Sequence, residues 1–375
     1  MISPEKFYSL LKENNIDFFT GVPDSLLKDI CAFITDNTPS HRNIIAANEG
    51  NAIGLAAGYH MATGKIPMVY LQNSGIGNTV NPLLSLTDNK VYNIPVLLMI
   101  GWRGEPGKKD EPQHITQGEV TLELLEAMKI PYLVLEGDAN EIEQQVKTAI
   151  NTIENSGSSF ALVVRKGVFE KYSIKSELEN SYELSREDAI KIIVDQLDGS
   201  EVIVSTTGKT SRELFEYREE LKQSHDKDFL TVGSMGHSNQ IALGIAISKP
   251  NRKVICIDGD GAMLMHMGSM AIVGNLAPKN YLHIVINNGA HESVGGQPTV
   301  SFNIDIPSVA KANGYKFARL VSNHDELINA LISMDSDDYP ALIEVRVKMG
   351  SRDNLGRPTI KPADNKKEFM KNLEA

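Results

Sequence analysis

The chain has 375 residues, of which 41% are hydrophobic and 23% charged, as expected for a globular protein with two domains. A net charge of −11 argues against a general nucleic-acid-binding surface. The sequence has no apolar run of about 18 residues to span a membrane, and its first residues do not resemble a signal peptide. The only two cysteines, Cys31 and Cys256, lie in apolar surroundings, which predicts buried thiols in a reducing cytoplasm.

Apolar runs alternate with helical patterns along the whole chain, which predicts an α/β architecture. The first helix is expected to begin at once, with Ser3 as N-cap and Pro4 in the first turn. In the first half the sequence predicts strands at residues 18–22, 44–47, 68–71, 96–100, 132–135 and 160–164. Helices are expected at residues 4–14, 50–63, 79–88 and 140–155.

Residues 168–184 are largely polar and lack a clear period, so they are interpreted as a linker between domains at 1–167 and 185–375. The second domain opens with a capping box formed by Ser185 and Asp188. The strands predicted after it lie at residues 202–205, 230–232, 254–257, 283–286, 317–320 and 341–346. A last short helix is expected in an otherwise irregular tail.

The two halves repeat one pattern. Residues 48–58 and 236–246 are Gly/Ala-rich helical segments, and each leads to a strand that ends in a glycine-containing loop. Such helices pack closely on a sheet, which predicts two doubly wound, mostly parallel sheets. The repeat indicates a duplication, although unrelated domains could share it through common packing rules.

Two neighbouring strand patterns end in small polar residues that suit a metal. The run at 254–257 ends in Asp258-Gly259-Asp260-Gly261, and the run at 282–286 ends in Asn287-Asn288. Glycines let the backbone approach a phosphate, while carboxylate and amide oxygens suit a hard cation. The pattern therefore predicts a Mg²⁺ site next to a diphosphate.

Gly259-Asp260-Gly261, followed at this distance by Asn287-Asn288, resembles the signature of thiamine-diphosphate enzymes. The resemblance covers nearly the whole chain and implies a pyrimidine-binding first domain and a diphosphate-binding second domain. The third, central domain of many members is missing, because residues 168–184 leave no room for it. The resemblance also implies thiamine diphosphate and Mg²⁺ as cofactors. It implies a homo-oligomer, either a dimer, a multiple of a dimer or a trimer, with active sites between subunits.

The resemblance implies a set of cofactor residues in the second half. Metal ligands would be Asp260, Asn288 and the Ala290 carbonyl, and Met235 would be the apolar wedge under the cofactor. A Walker motif is excluded because Ile203 stands where glycine is required, so the segment that follows is assigned to the diphosphate at a helix N-terminus. Lys209 stays open as a diphosphate contact or a surface charge. The remaining implied cofactor contacts are Thr207, Gly208, Gly233, Ser234, Gly259, Gly261 and Ala262.

In the first half, Glu49 matches the family's catalytic glutamate, which would exchange a proton with the cofactor's pyrimidine. A helix N-terminal glutamate that only interacts with the dipole is the alternative. The loop at residues 102–114 is long, polar and punctuated by glycine and proline, as active-site loops are. In related 2-oxo-acid decarboxylases this loop carries an active-site histidine, which His114 matches.

The segments around 110–114, 234–237, 265–268 and 287–299 resemble decarboxylases of anionic 2-oxo acids. The expected reaction is decarboxylation of 3-phosphonopyruvate to phosphonoacetaldehyde and CO₂, as in phosphonate biosynthesis. Arg103 is the first choice for the phosphonate contact, because its planar fork suits a tetrahedral oxyanion, and His291 is the second. The alternatives are decarboxylation of sulfopyruvate, a related carboligation, or a catalytically inactive cofactor-binding regulatory protein. The expected partners are the small anionic substrate and further copies of the chain, with neither nucleic acid nor membrane.

Overall fold

The computed structural model describes residues 1–175 and 181–374. The chain divides into two compact units, Met1–Glu177 with Ser293–Gln297, and Leu178–Glu292 with Pro298–Ala375. Part of the predicted linker, residues 176–180, lies outside the described residues. None of the described helices has both the length and the apolar character needed to cross a bilayer.

The first unit contains a six-stranded sheet in the order β2-β1-β3-β4-β6-β5, with all strands parallel. Its strands are β1 Phe19–Gly21, β2 Asn43–Ile45, β3 Met68–Gln72, β4 Leu97–Gly101, β5 Tyr132–Leu135 and β6 Phe160–Val164. Its helices are α1 Pro4–Glu13, α2 Lys28–Asn37, α3 Glu49–Thr63, α4 Ile76–Pro82, α5 Pro112–Ala127 and α6 Ala139–Ser156.

The central strands of this sheet are buried on both faces. In β3, Met68 and Tyr70 belong to one hydrophobic cluster, whereas Val69 and Leu71 belong to another. Successive side chains of a strand point to opposite faces, so each face of the sheet has its own core. A strand buried on both faces needs a continuous apolar run, and the sequence of β3 provides one.

The second unit contains a parallel six-stranded sheet in the order β13-β14-β10-β9-β7-β8. These strands are β7 Val202–Ser205, β8 Asp228–Leu230, β9 Val254–Gly259, β10 Tyr281–Asn287, β13 Phe317–Val321 and β14 Ala341–Arg346. Two short strands outside this sheet are β11 Ala290–His291 and β12 Gln297–Pro298, of which Gln297 is grouped with the first unit. The helices are α7 Arg186–Asp195, α8 Lys209–Glu220, α9 Ser238–Ser248, α10 Asp260–Met265, α11 Ser269–Leu276, α12 Ile306–Ala312, α13 His324–Ile332 and α14 Pro362–Glu374.

The two sheets have the same topology. Read from β8, the strand order of the second sheet is β8-β7-β9-β10-β14-β13. If the six strands of each large sheet are numbered 1 to 6 along the chain, both sheets have the order 2-1-3-4-6-5. The repeated sequence pattern at residues 48–58 and 236–246 therefore corresponds to a repeated fold. The predicted pair of doubly wound parallel sheets is confirmed.

All twelve predicted strands of the two large sheets are present, and the caps at Ser3 and Ser185 form as predicted. Several predicted bounds differ from the structure by one or two residues, and two elements differ most. The strand predicted at 230–232 is Asp228–Leu230, because Asp228 is buried in a bidentate pair with Arg218 and so breaks the apolar pattern. The helix predicted at 79–88 begins at Ile76 and changes at Leu83–Thr87 to a π-helical turn.

Candidate active site

The strand order of the first unit reverses between β1 and β3, which creates a crevice at the carboxyl ends of the strands. Segments that follow neighbouring strands lie at this edge, with Asp24 after β1, Glu49 after β2 and Gly75 after β3. The second unit has the corresponding switch between β7 and β9. In open α/β sheets ligands bind at such points, so each unit presents one candidate ligand-binding edge.

Glu49 is the first residue of α3 and is only 5% exposed. Asn78 Nδ2 donates a hydrogen bond to its Oε2 at 2.7 Å. The loop after β3 passes so close that a Cβ at Gly75 would lie 2.2 Å from Oε1. Burial raises the pKa of Glu49 despite the hydrogen bond from Asn78. This enclosure suits a proton-exchanging carboxyl better than a solvated helix-end glutamate.

Asp24 is a second buried carboxyl, which the sequence did not single out. Its Oδ2 accepts the backbone N–H groups of Leu26 at 2.9 Å and Leu27 at 3.3 Å. Its Oδ1 has no hydrogen-bond partner among the described residues. A Cβ at Gly101, the last residue of β4, would lie 2.1 Å from Oδ2. Burial raises the pKa of Asp24 to about 6, so this group titrates close to neutral pH.

Arg103 and His114 are brought together by Asp110. Arg103 donates to the Asp110 carboxylate through Nε at 2.8 Å and also through Nη2. His114 Nδ1 lies 3.1 Å from Asp110 Oδ1, and the ring is buried. Burial lowers the pKa of His114, against the opposing effect of Asp110. Arg103 Nη1 also donates to Ser25 at 2.7 Å, so the guanidinium is held at a fixed position.

In the second unit, Asp260 begins α10 directly after β9 and is buried. Its Oδ2 accepts hydrogen bonds from Thr299 Oγ1 and, at 2.8 Å, from Ser301 Oγ. Ser301 Oγ also lies 2.7 Å from Asn287 Oδ1, which links the ends of β9 and β10. Burial raises the pKa of Asp260 to about 6. A bound divalent cation would offset this unfavourable burial of the carboxylate.

Asn288 follows β10 at the same edge, because β9 and β10 pair in parallel with Ile286 opposite Gly259. Its side-chain Oδ1 accepts the backbone N–H of Ala290 at 3.1 Å, and Nδ2 donates to Glu292 Oε2 at 2.9 Å. The amide is thus oriented by contacts on both of its atoms. Metal ligation by Asn288 and by the Ala290 carbonyl stays a prediction.

Behind Asn288 lies a network of four charged residues that the sequence did not predict. Arg186 makes a bidentate pair with Glu213, with distances of 2.7 and 2.8 Å, and a further bond of 2.9 Å to Glu292. Lys209 Nζ donates to the other oxygen of Glu292 at 2.6 Å. Burial alone would raise the pKa of Glu292, but the two cations hold it below its ordinary value. Lys209, whose role the sequence left open, is therefore paired with Glu292.

The segment after β7 forms a helix N-terminus suited to an anion. Gly208 precedes α8 with φ of +96°, a conformation that favours glycine. Thr207 lies beside it, partly buried. The neighbouring Thr206 is buried, and its Oγ1 has no partner among the described residues. A hydroxyl without a described partner, just before a helix N-terminus that has no side-chain cap, is consistent with the predicted diphosphate contact.

Met235, Gly261 and His291 lie together. An added Cβ at Gly261 would be 3.0 Å from His291 Cε1 and 3.4 Å from Met235 Cε, so a side chain here would press on both. Ser234, with φ of +55°, forms the turn that places Met235. Burial lowers the pKa of His291 to about 4, so its ring is neutral at pH 7. The other predicted contacts lie in the same segments, namely Gly233, Gly259 and Ala262.

These observations fit the predicted cofactor. The unpartnered Thr206 hydroxyl and the buried Asp260 carboxylate offer groups for a diphosphate and a divalent cation. At Gly261 the absence of a side chain lets Met235 and His291 lie close to the backbone. Glu49 and Asp24 offer carboxyls whose pKa values burial has raised. The first unit thus carries buried carboxyls with raised pKa values, and the second carries polar groups of the kinds that bind an anion and a metal.

Comparison with known proteins agrees with this division. Residues 4–125 match the N-terminal TPP binding domain of thiamine pyrophosphate enzymes, and residues 206–345 match their C-terminal TPP binding domain. The chain therefore belongs to the thiamine pyrophosphate enzyme family.

Three curated relatives are named for two decarboxylation reactions. A phosphonopyruvate decarboxylase of Streptomyces viridochromogenes is 33% identical, over 93% of this chain and 89% of the relative. A phosphonopyruvate decarboxylase of Streptomyces hygroscopicus is 32% identical, over 98% of this chain and 93% of the relative. A sulfopyruvate decarboxylase of Methanosarcina acetivorans is 28% identical, over 100% of this chain and 98% of the relative. The similarity to both kinds of relative extends over nearly the whole chain.

Proposed function

We propose that the protein decarboxylates 3-phosphonopyruvate to phosphonoacetaldehyde and CO₂, using thiamine diphosphate and Mg²⁺. The observation that carries the proposal is the similarity over nearly full length to two phosphonopyruvate decarboxylases. Support comes from the buried carboxyl of Glu49 in the first unit and from the cluster around Asp260 in the second.

When bound, thiamine diphosphate supplies the carbon nucleophile and the electron sink for decarboxylation. Asp260, Asn288 and the Ala290 carbonyl would hold Mg²⁺, and Thr207 with Gly208 would hold the diphosphate. Glu49 would hold and return a proton at its carboxyl, because its raised pKa keeps both protonation states accessible. Met235 would pack under the cofactor, beside Gly261.

Arg103 would contact the phosphonate. Its guanidinium has five N–H donors, and three of them are bound by Asp110 and Ser25. Within the part of the chain that the structure describes, one donor on each terminal nitrogen therefore remains for an anion. His291, the second candidate, is neutral at pH 7 and would contribute a hydrogen bond rather than a charge. Binding the remote phosphonate would help to orient the carboxylate that is lost.

His114 and Asp24 would handle the proton that replaces CO₂. Both groups are buried in the first unit, and both interact with Arg103, His114 through Asp110 and Asp24 electrostatically. His114 is neutral near pH 7 because burial lowers its pKa. Asp24, with a pKa of about 6, has a small protonated fraction at that pH. The protonated form of Asp24 is the proposed source of the proton for the enamine product. The neutral His114 ring would first accept a proton and would then pass it on.

The experiment is an assay of CO₂ release from 3-phosphonopyruvate, sulfopyruvate and pyruvate, with and without thiamine diphosphate and Mg²⁺. We expect the highest kcat/KM for phosphonopyruvate and no release without the cofactors. Arg103→Ala should raise the KM for phosphonopyruvate and leave that for pyruvate, which lacks the remote anion, nearly unchanged. Equal effects on both substrates would place the phosphonate contact elsewhere.

Sulfopyruvate is the second candidate substrate, since a sulfopyruvate decarboxylase is 28% identical over the whole chain. A higher kcat/KM for sulfopyruvate would select it. A protein that binds thiamine diphosphate but releases CO₂ from none of the three acids would instead fit an inactive, regulatory role.

The organisation of the protein completes the proposal. The pyrimidine-binding domain would span residues 1–167 and the diphosphate-binding domain residues 185–375, joined by a linker at 168–184. Since each domain carries only part of the machinery, a homo-oligomer with active sites between subunits is proposed. Two free, buried thiols, Cys31 and Cys256, support a reducing cytoplasmic location.

A further inference from the structure

Asp110 accepts more hydrogen bonds than an ordinary loop carboxylate. Its two oxygens receive Nε and Nη2 of Arg103, the backbone N–H groups of Gly104 and Glu111, and Nδ1 of His114. The side chain is partly buried, with 15% exposed. One carboxylate therefore joins the two residues assigned to anion binding and proton transfer.

These contacts determine the protonation of the His114 ring. The hydrogen bond from Arg103 is the main reason that the pKa of Asp110 lies well below its usual range. An ionised carboxylate only accepts hydrogen bonds. The proton of the neutral His114 ring must therefore be on Nδ1, which leaves Nε2 as the nitrogen that can exchange a proton with a ligand.

We propose that Asp110 is a positioning residue that fixes His114 in its Nδ1–H tautomer and holds the Arg103 fork in place. The inference deepens the proposed function and rests on it for the roles of His114 and Arg103. One side chain would thus align the group that moves a proton with the group that binds the remote anion. The charged groups facing His114 in the first unit are Asp110 and Arg103, and Asp24 interacts electrostatically with Arg103.

The proposal predicts different effects of an Asp110 substitution on kcat and on KM. Removal of Asp110 loosens one side of the Arg103 fork, but the bond to Ser25 remains and the counter-charge is lost. These two effects on the binding of an anionic substrate oppose each other, so the KM should not rise. His114 loses the acceptor that orients its ring, so the proton-transfer step should slow. Asp110→Ala is therefore expected to lower kcat by about 100-fold without raising the KM for phosphonopyruvate. A purely structural role would raise KM as well.

The direct test is ¹⁵N solid-state NMR of sedimented protein labelled at histidine, without cofactor. The chain has nine histidines, and the His114 signals are identified by their loss in His114→Gln. We expect a protonated Nδ1 and an unprotonated Nε2 in the wild type, and a gain of the Nε2–H tautomer in Asp110→Ala. A wild-type His114 in the Nε2–H form overturns the proposal even if the variant does not fold.

The matched control is Glu105→Gln, which removes a carboxylate of the same loop that pairs with Arg165. It should leave the His114 tautomer and kcat unchanged. An Asp110→Ala protein that keeps the wild-type tautomer, or one whose KM rises with an unchanged kcat, also overturns the inference. Because the NMR experiment needs neither substrate nor cofactor, its outcome does not depend on the proposed reaction.

Discussion

Gly75→Ala tests whether the position of the Glu49 carboxylate determines turnover. The added Cβ would lie 2.2 Å from Oε1, 2.5 Å from Cδ and 2.7 Å from Cγ of Glu49. Carbon and oxygen atoms that are not bonded need more than about 3 Å, so the carboxylate must move by about 1 Å. The backbone itself does not oppose alanine, because Gly75 has φ of −83°. The substitution therefore perturbs the contact and not the local conformation.

The expected losses of turnover rate and of stability follow from this displacement. Glu49 is buried and bound to Asn78 at 2.7 Å, so a shift also weakens that bond. A misplacement of about 1 Å can reduce a rate by about 100-fold, or about 2.7 kcal/mol in the activation free energy. Overpacking should also lower the unfolding free energy by about 1–3 kcal/mol. We expect kcat to fall far more than the affinity for thiamine diphosphate.

The assay is CO₂ release at saturating cofactor, together with calorimetric titration of thiamine diphosphate. Gly77→Ala is the matched control, because it lies two residues further along and a Cβ there meets nothing within 4 Å. The Gly77→Ala control should have the same kcat as the wild type. If Gly75→Ala keeps a kcat within about twofold of wild type, the Glu49 carboxylate does not control turnover from this position, and the reasoning is refuted.

Three further substitutions test neighbouring groups. Glu49→Gln should retain cofactor binding but lose turnover by at least about 100-fold in the CO₂ assay, and near-normal turnover would contradict its role. Glu292→Gln should weaken Mg²⁺ binding about tenfold by calorimetry with thiamine diphosphate present, because Asn288 loses a charged acceptor; an unchanged affinity would argue against it. For Asp24, a pKa raised by burial from 3.8 to about 6 means that stability is full below pH 3.8 and is lost as the pH rises through 6. Asp24→Asn should therefore gain up to about 3 kcal/mol relative to wild type between pH 4 and pH 8 in urea unfolding, whereas a pH-independent difference would contradict the assignment.

The fold could be predicted because its strands are buried on both faces. In such strands every position is apolar, so runs such as residues 160–164 and 202–205 stand out from their surroundings and were placed without error. The boundary at Asp228 failed because a buried ion pair with Arg218 replaces apolar packing. Charge pairing depends on a partner elsewhere in the chain, which a local pattern does not show.

The site was only partly predictable for a similar reason. Asp260 and Glu49 follow strands within recognisable motifs, and both are buried, which suits their proposed roles. Asp24 also follows a strand, so its position after the run at 18–22 was a usable signal, but nothing in the sequence shows that it is fully buried. The contacts of Glu292 with Arg186 and Lys209 join distant segments and became visible only in three dimensions.

The shared topology of the two sheets has a consequence for how the enzyme could change. The first unit carries the carboxyls proposed to exchange protons, and the second, on a sheet of the same topology, carries the groups proposed to hold the charged cofactor. Mutations in one copy should act mainly on the chemical step, and mutations in the other mainly on retention of that molecule. Selection could then change the turnover rate and the affinity for the cofactor separately, because the residues that affect each quantity lie in different units.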